Sequence, residues 1–245
     1  GDAASTIGSQ AHRQLAREAV RKSLVLLKNE SKTLPIPKDI PLISVSGAAA
    51  NDLGMQSGGW TLAWQGTGGN VMPGTTILSG IQQAAGKSKV QYDPNGNFPE
   101  SMVADVGIIV IGERPYAEGL GDRADLSLSD ADSALIDRVK EHSKKTVVIL
   151  VSGRPMVVTL PLMKADAFVA AWLPGTEGEG VADVLFGDYD FAGKLPYTWP
   201  RWNSQLPFPN LGAVPTRTCA APLAPFGFGL TMRDESPPQL DCPKP

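Results

Sequence analysis

The chain has 245 residues, 42% hydrophobic and 19% charged, with a formal net charge of −3 at pH 7. That balance suits a globular protein with room for a real core and leaves no basic stripe for nucleic acid. No run of about 18 apolar residues offers a membrane-spanning helix, and the two histidines, His12 and His142, argue against a histidine metal cluster or a Ser-His-Asp triad.

Gly1-Asp2-Ala3-Ala4-Ser5 has no charged-then-apolar pattern, so any export signal is expected to have gone already. Residues 9–28 read as an amphipathic helix, with Leu15, Ala16, Ala19, Val20, Leu24 and Leu27 as its stripe. Pro35 and Pro37 end that region. Residues 40–47 read as the first strand, opening into a small-residue loop over 48–59. The stretch 60–66 holds Trp60 and Trp64, and glycines continue to Gly74. Thr75 or Thr76 caps a helix to Ala85, and 89–92 is a short strand.

Residues 106–112, Val-Gly-Ile-Ile-Val-Ile-Gly, are apolar without alternation, the pattern of a parallel strand covered on both faces. In an open α/β sheet, ligands bind beyond the carboxyl ends of such strands. The loop that follows carries Glu113, Arg114, Tyr116, Glu118 and Asp122 between glycines and a proline. On pattern alone an ordinary acidic surface loop competes equally.

Ser129, three residues before Asp132, marks a helix start, with Leu135, Ile136 and Val139 facing inward to about residue 143. Residues 146–152 and 167–173 are two further buried strands, broken by Arg154-Pro155 and Pro174-Gly175. Residues 179–186 form a short helix closed by Gly187. Prolines and glycines dominate from Ala192, with 195–199 as an edge strand. The fold class is α/β, a mainly parallel sheet sandwiched between helices with an irregular Pro/Gly-rich C-terminal tail. Cys219 and Cys242 are expected to staple that tail in an oxidising compartment.

Gly86-Lys87-Ser88 resembles the end of a phosphate loop, but Ile81 stands where a glycine is required and the lysine ends a helix. No G-x-G-x-x-G follows a strand, so no cofactor is expected. Gly175 to Gly180 reads as a plain strand-to-helix turn, its two glutamates opposing an anion there. A carboxyl that donates a proton near neutral pH needs apolar cover or a second carboxylate, which Tyr116 or a tryptophan supplies to Glu113 or Glu118. Asp122, Arg123 and Asp125 read as surface ion pairs. Trp60, after Gly58-Gly59, is presented outward, and an indole face suits the C–H face of a sugar. Trp64 reads as a core anchor.

At these residues the chain resembles the second, sandwich domain of family 3 glycoside hydrolases, the β-glucosidases and exo-β-glucan hydrolases. The similarity is carried by His12 to Asn29, Gly58-Gly-Trp60-Thr-Leu-Ala-Trp64-Gln-Gly66, Gly112-Glu-Arg-Pro-Tyr-Ala-Glu118-Gly-Leu-Gly-Asp122, Ser152-Gly-Arg-Pro155, and Ala170 to Gly178 followed by Gly193-Lys-Leu-Pro196. The resemblance implies an active site shared with a preceding β/α barrel that supplies an aspartate nucleophile. It assigns the general acid/base to Glu118, with Glu113 as the alternative, and a sugar clamp to Trp60. It implies a β-glucan or β-gluco-oligosaccharide substrate and a periplasmic or secreted setting. Residues 1–8 are then expected to be a linker remnant from the barrel, 9–212 the sandwich domain and 213–245 a tail packed on it. Retaining hydrolysis needs two carboxyls about 5–5.5 Å apart, and the sequence holds no candidate for the second. A non-catalytic carbohydrate-binding or scaffolding module is the competing reading, and a self-contained small-molecule-binding α/β domain a third.

Overall fold

A computed structural model describes residues 6–207, 219–234, 238 and 242. Among these residues, six strands make one sheet in the order β1-β6-β5-β4-β2-β3. They are β1 (Val25–Asn29), β2 (Leu42–Ser46), β3 (Lys89–Tyr92), β4 (Ala104–Gly112), β5 (Ser143–Val151) and β6 (Ala167–Trp172). Strands β2 to β6 are mutually parallel, and β1 lies antiparallel along β6. The helices are α1 (Gln10–Ser23), α2 (Leu53–Ser57), α3 (Ile77–Ala84), α4 (Asp130–Glu141), α5 (Thr159–Lys164) and α6 (Gly178–Leu185).

The unalternating strands are buried on both faces. Val106, Ile108 and Val110 of β4 join one core with Val20 of α1, Ile77 and Ile81 of α3, and Val181 and Leu185 of α6. Ile109 and Ile111 enter the opposite core with Leu135, Ile136 and Val139 of α4 and Leu162 of α5. A period of two therefore persists, but both sides of it are apolar. Thr76 and Ser129 cap α3 and α4, each side-chain oxygen accepting from the backbone N–H three residues on, at 3.1 Å.

Two assignments change. Residues 24–28 leave the expected helix: α1 stops at Ser23, and all five residues of β1 are buried in the sheet. Leu24 and Leu27 continue the helical spacing, but sheet pairing to β6 overrides that local periodicity. Residues 195–199 are not a strand. Trp199 makes a single antiparallel bridge to Ala224, and its fully buried indole donates to the Met156 carbonyl at 2.6 Å. Pro196 lacks an N–H to donate to a ladder. Strand β1 takes that edge instead. The short helices α2 and α5 emerge only in the structure. Cys219 and Cys242 are disulfide-bonded. The expected boundary between domain and tail, at residue 212, lies outside the described residues.

The topology creates a crevice. From β2 the chain passes through α3 to β3 on one side, and from β4 through α4 to β5 on the other. The order therefore reverses between β2 and β4, where a ligand site forms beyond the strand ends.

One buried cation anchors the far edge. Lys28 Nζ, on a side chain only 2% exposed, donates to the carbonyls of Leu162 at 3.1 Å and Ala165 at 2.7 Å, and lies 3.1 Å from Glu30. It satisfies carbonyls at the carboxyl end of α5. Lys28→Met, which keeps the stem and removes the donors, is expected to lower stability by about 1–3 kcal/mol in urea unfolding. An unchanged midpoint would mean that these carbonyls find other partners.

Candidate active site

Two loops meet beyond the ends of β2 and β4. In the first, Trp60 and Leu62 take left-handed backbone angles (φ 61° and 62°), and Trp60 N–H donates to the Trp64 carbonyl at 2.9 Å. The turn directs both indoles outward, Trp60 at 70% and Trp64 at 54% exposure, with centroids 6.2 Å apart. Trp64 is thus not a core anchor: it sits on a surface turn, with Leu62 and Ala63 beside it exposed as well.

The second loop interlocks with the first. Gln65 Oε1 accepts from Ala117 N–H at 2.8 Å. A Cβ at Gly59 would lie 2.1 Å from the Tyr116 carbonyl oxygen, so only glycine allows this approach. Between the loops is an open recess of about 310 Å³, whose lining includes Trp60, Glu113, Tyr116, Glu118, Gly153 and Leu173. The structure therefore brings Trp60 and Glu118, 58 positions apart in the chain, to one recess.

Glu118 opens a 3₁₀ turn, Glu118–Gly121, with φ 53°. A left-handed glutamate is uncommon, costs about 1–3 kcal/mol and persists only where its surroundings impose it. Its side chain is exposed. The apolar cover expected from Tyr116 goes elsewhere, because that hydroxyl donates to Glu113 Oε2 at 3.0 Å.

Glu113 has a different setting. Its side chain is 9% exposed, and Oε1 accepts from Arg154 Nε at 3.1 Å and Nη2 at 2.7 Å. Arg123 Nη2 stands 3.5 Å away. Arg154 also donates through Nη1 to the Gly121 carbonyl at 2.6 Å and lies over the Tyr116 ring, 4.5 Å from its centroid. Burial, with the Glu113 charge beside it, pushes the Tyr116 phenol up to about 12, so it remains a donor through the neutral range. This cluster walls the crevice between β2 and β4, about 680 Å³, together with Asp52 and Asp132. Of the neighbouring charges, Arg123 joins Glu113, while Asp125 accepts from Ser127 N–H and Asn203.

Sequence reasoning passed over Arg154 and Gln65 as site residues. The signal for Arg154 was its place just past the end of β5, the rule that drew attention to Glu113. Gln65 carried no such signal.

Comparison with known proteins places the chain. Residues 24–232 match the family described as glycosyl hydrolase family 3 C-terminal domain. The chain is 32% identical to a periplasmic beta-glucosidase of Salmonella typhimurium over 91% of its own length, and 30% identical to a lysosomal beta glucosidase of Dictyostelium discoideum over 97%. It spans only 35% and 31% of those two proteins. Among solved structures, an exo-1,3/1,4-beta-glucanase from a Pseudoalteromonas species superposes with a TM-score of 0.85 at 41% identity, covering 97% of this chain and 31% of that one. With the same mainly parallel sheet between helices and a family match across most of its length, this chain belongs to the C-terminal domain family of the family 3 glycosyl hydrolases.

Proposed function

We propose that this chain is the second domain of a retaining, exo-acting β-glucosidase or β-glucan glucohydrolase, and that Glu118 is its general acid/base. The observation that carries the reading is the shared recess: an exposed carboxyl on a strained turn faces the same space as an outward indole. Glu113 borders the same recess, but its oxygens are already on Arg154 and Tyr116. In this reading Glu118 protonates the departing glycosidic oxygen, then takes a proton from the water that releases the glycosyl enzyme. Trp60 lays its face on the sugar at the leaving-group side.

The nucleophile is an aspartate on an N-terminal β/α barrel, in the same precursor or on a separate chain. The apolar rim supports such a second body, since Trp60, Leu62, Trp64 and Leu120 are all more than half exposed. The relatives named above are about three times as long as the span they share with this chain. The substrate is a β-glucan or β-gluco-oligosaccharide with terminal β-linked glucose. The disulfide and the periplasmic relative support a periplasmic or secreted site of action. Residues 1–8 serve as linker from the barrel, 9–212 as the sandwich domain and 213–245 as its tail.

The test uses the chain assembled with its barrel. Glu118→Gln is expected to lower kcat/KM on a β-glucoside with a poor leaving group by about 10²–10⁴-fold. Full activity would reject the assignment, and sugar binding without hydrolysis in the assembly would make the chain a carbohydrate-binding module. Trp60→Ala is expected to raise KM roughly three- to tenfold with a smaller change in kcat, the loss of one aromatic face. An unchanged KM would place the sugar elsewhere.

A further inference from the structure

The geometry points to Glu113 and Arg154 as positioning residues for the turn that carries Glu118, acting on catalysis through that carboxyl and exchanging no proton with substrate. This deepens the reading above and rests on it.

The argument is one of connectivity. A single guanidinium ties three points of the segment 113–121. Arg154 grips Glu113 with Nε and Nη2, the Gly121 carbonyl with Nη1, and the Tyr116 ring with its face. Tyr116 returns to Glu113 through its hydroxyl, so the start and middle of the segment are joined twice. Gly121 sits so close to Tyr116 that a Cβ there would lie 2.2 Å from the ring, which holds the end of the turn against its middle. On the near side, Ala117 N–H is fixed by Gln65. The residue before Glu118 and the last residue of its turn are therefore both tethered, while Glu118 is left as the exposed apex with its φ of 53° imposed.

The chemistry of the clamp matches this role. Charge-assisted contacts to a guanidinium are short and directional, and here two of its N–H groups converge on one Glu113 oxygen while Tyr116 holds the other. Proton transfer from Glu113 would require its oxygens to leave Arg154 and Tyr116. A misplacement of about 1 Å at a reacting group costs on the order of 10²-fold in rate, which sets the scale of what the clamp protects.

The experiment compares Glu113→Gln, Arg154→Lys, Glu118→Gln and the Glu113→Gln/Glu118→Gln double variant. It uses the chain assembled with its barrel and aryl β-glucosides of graded leaving-group acidity. Glu113→Gln is expected to cost about 10–100-fold in kcat/KM on the poorest leaving group and to stay within about threefold on a dinitrophenyl glucoside, which needs no proton donor. Arg154→Lys is expected to show the same selective defect, because an ammonium cannot hold Glu113 and Gly121 in one plane. In the double variant no loss is expected beyond that of Glu118→Gln alone, since Glu113 works through Glu118. If Glu113→Gln does not fold, Tyr116→Phe carries the test, removing one hydrogen bond to Glu113 and keeping the ring on Arg154. A loss equal on all leaving groups, or losses that add in the double variant, would overturn the inference. If Glu118→Gln is itself without selective effect, the functional reading fails; if only the clamp variants are, the inference alone fails.

Discussion

Glu113 and Arg154 meet because β4 and β5 end side by side. Gly112 is registered with Val151, and Glu113 N–H donates to the Val151 carbonyl at 3.0 Å. Both strands are sealed in apolar cores on their two faces, so their ends cannot shift against each other without disturbing the whole sheet. The first polar residues past those ends inherit that rigidity. Tyr116, through its hydroxyl on Glu113 and its ring against Arg154, and the end of the turn at Gly121 are tied to this contact.

That arrangement gives two glutamates five residues apart opposite settings. The one at the strand end is enclosed and fully engaged. The one on the turn is exposed, strained and uncommitted. Pre-organised groups contribute to catalysis when their geometry is paid for in folding, and here the rigid sheet transmits its order to an exposed carboxyl through a guanidinium and an aromatic ring. The tryptophan loop adds an outward aromatic surface at the same recess, held by Gln65 and by the close approach at Gly59. The rim of exposed apolar side chains around it suits burial against another folded body.

Much of this was legible in the residues. The unalternating run 106–112 announced a doubly buried strand, and the strand-end rule pointed to the loop after it. Ser129 and Thr76 cap the helices that their spacing suggested. The errors fall where tertiary pairing decides. Leu24 and Leu27 fit a helical stripe equally well, and only the partner strand β6 distinguishes the two. Trp199 lies in a strand-like sequence but serves as a single core plug. Trp64 is exposed because of a turn made by left-handed Trp60 and Leu62, a conformation that neither residue type favours. Arg154 and Glu113 are 41 positions apart, and no local pattern links them. What sequence reading missed is therefore mainly the support of the site, which depends on register between strands.

The central claim is that the carboxyl of Glu118 moves the proton, and the identity of a rescued product tests it most directly. In the chain assembled with its barrel, Glu118→Ala should accumulate glycosyl enzyme from an activated glucoside, because water lacks its base. Azide needs no base, so added azide should restore turnover and yield β-glucosyl azide, with the anomeric configuration retained. Rescue of Glu113→Ala in its place, with Glu118→Ala unaffected by azide, would contradict the account and transfer the role to the strand-end carboxyl.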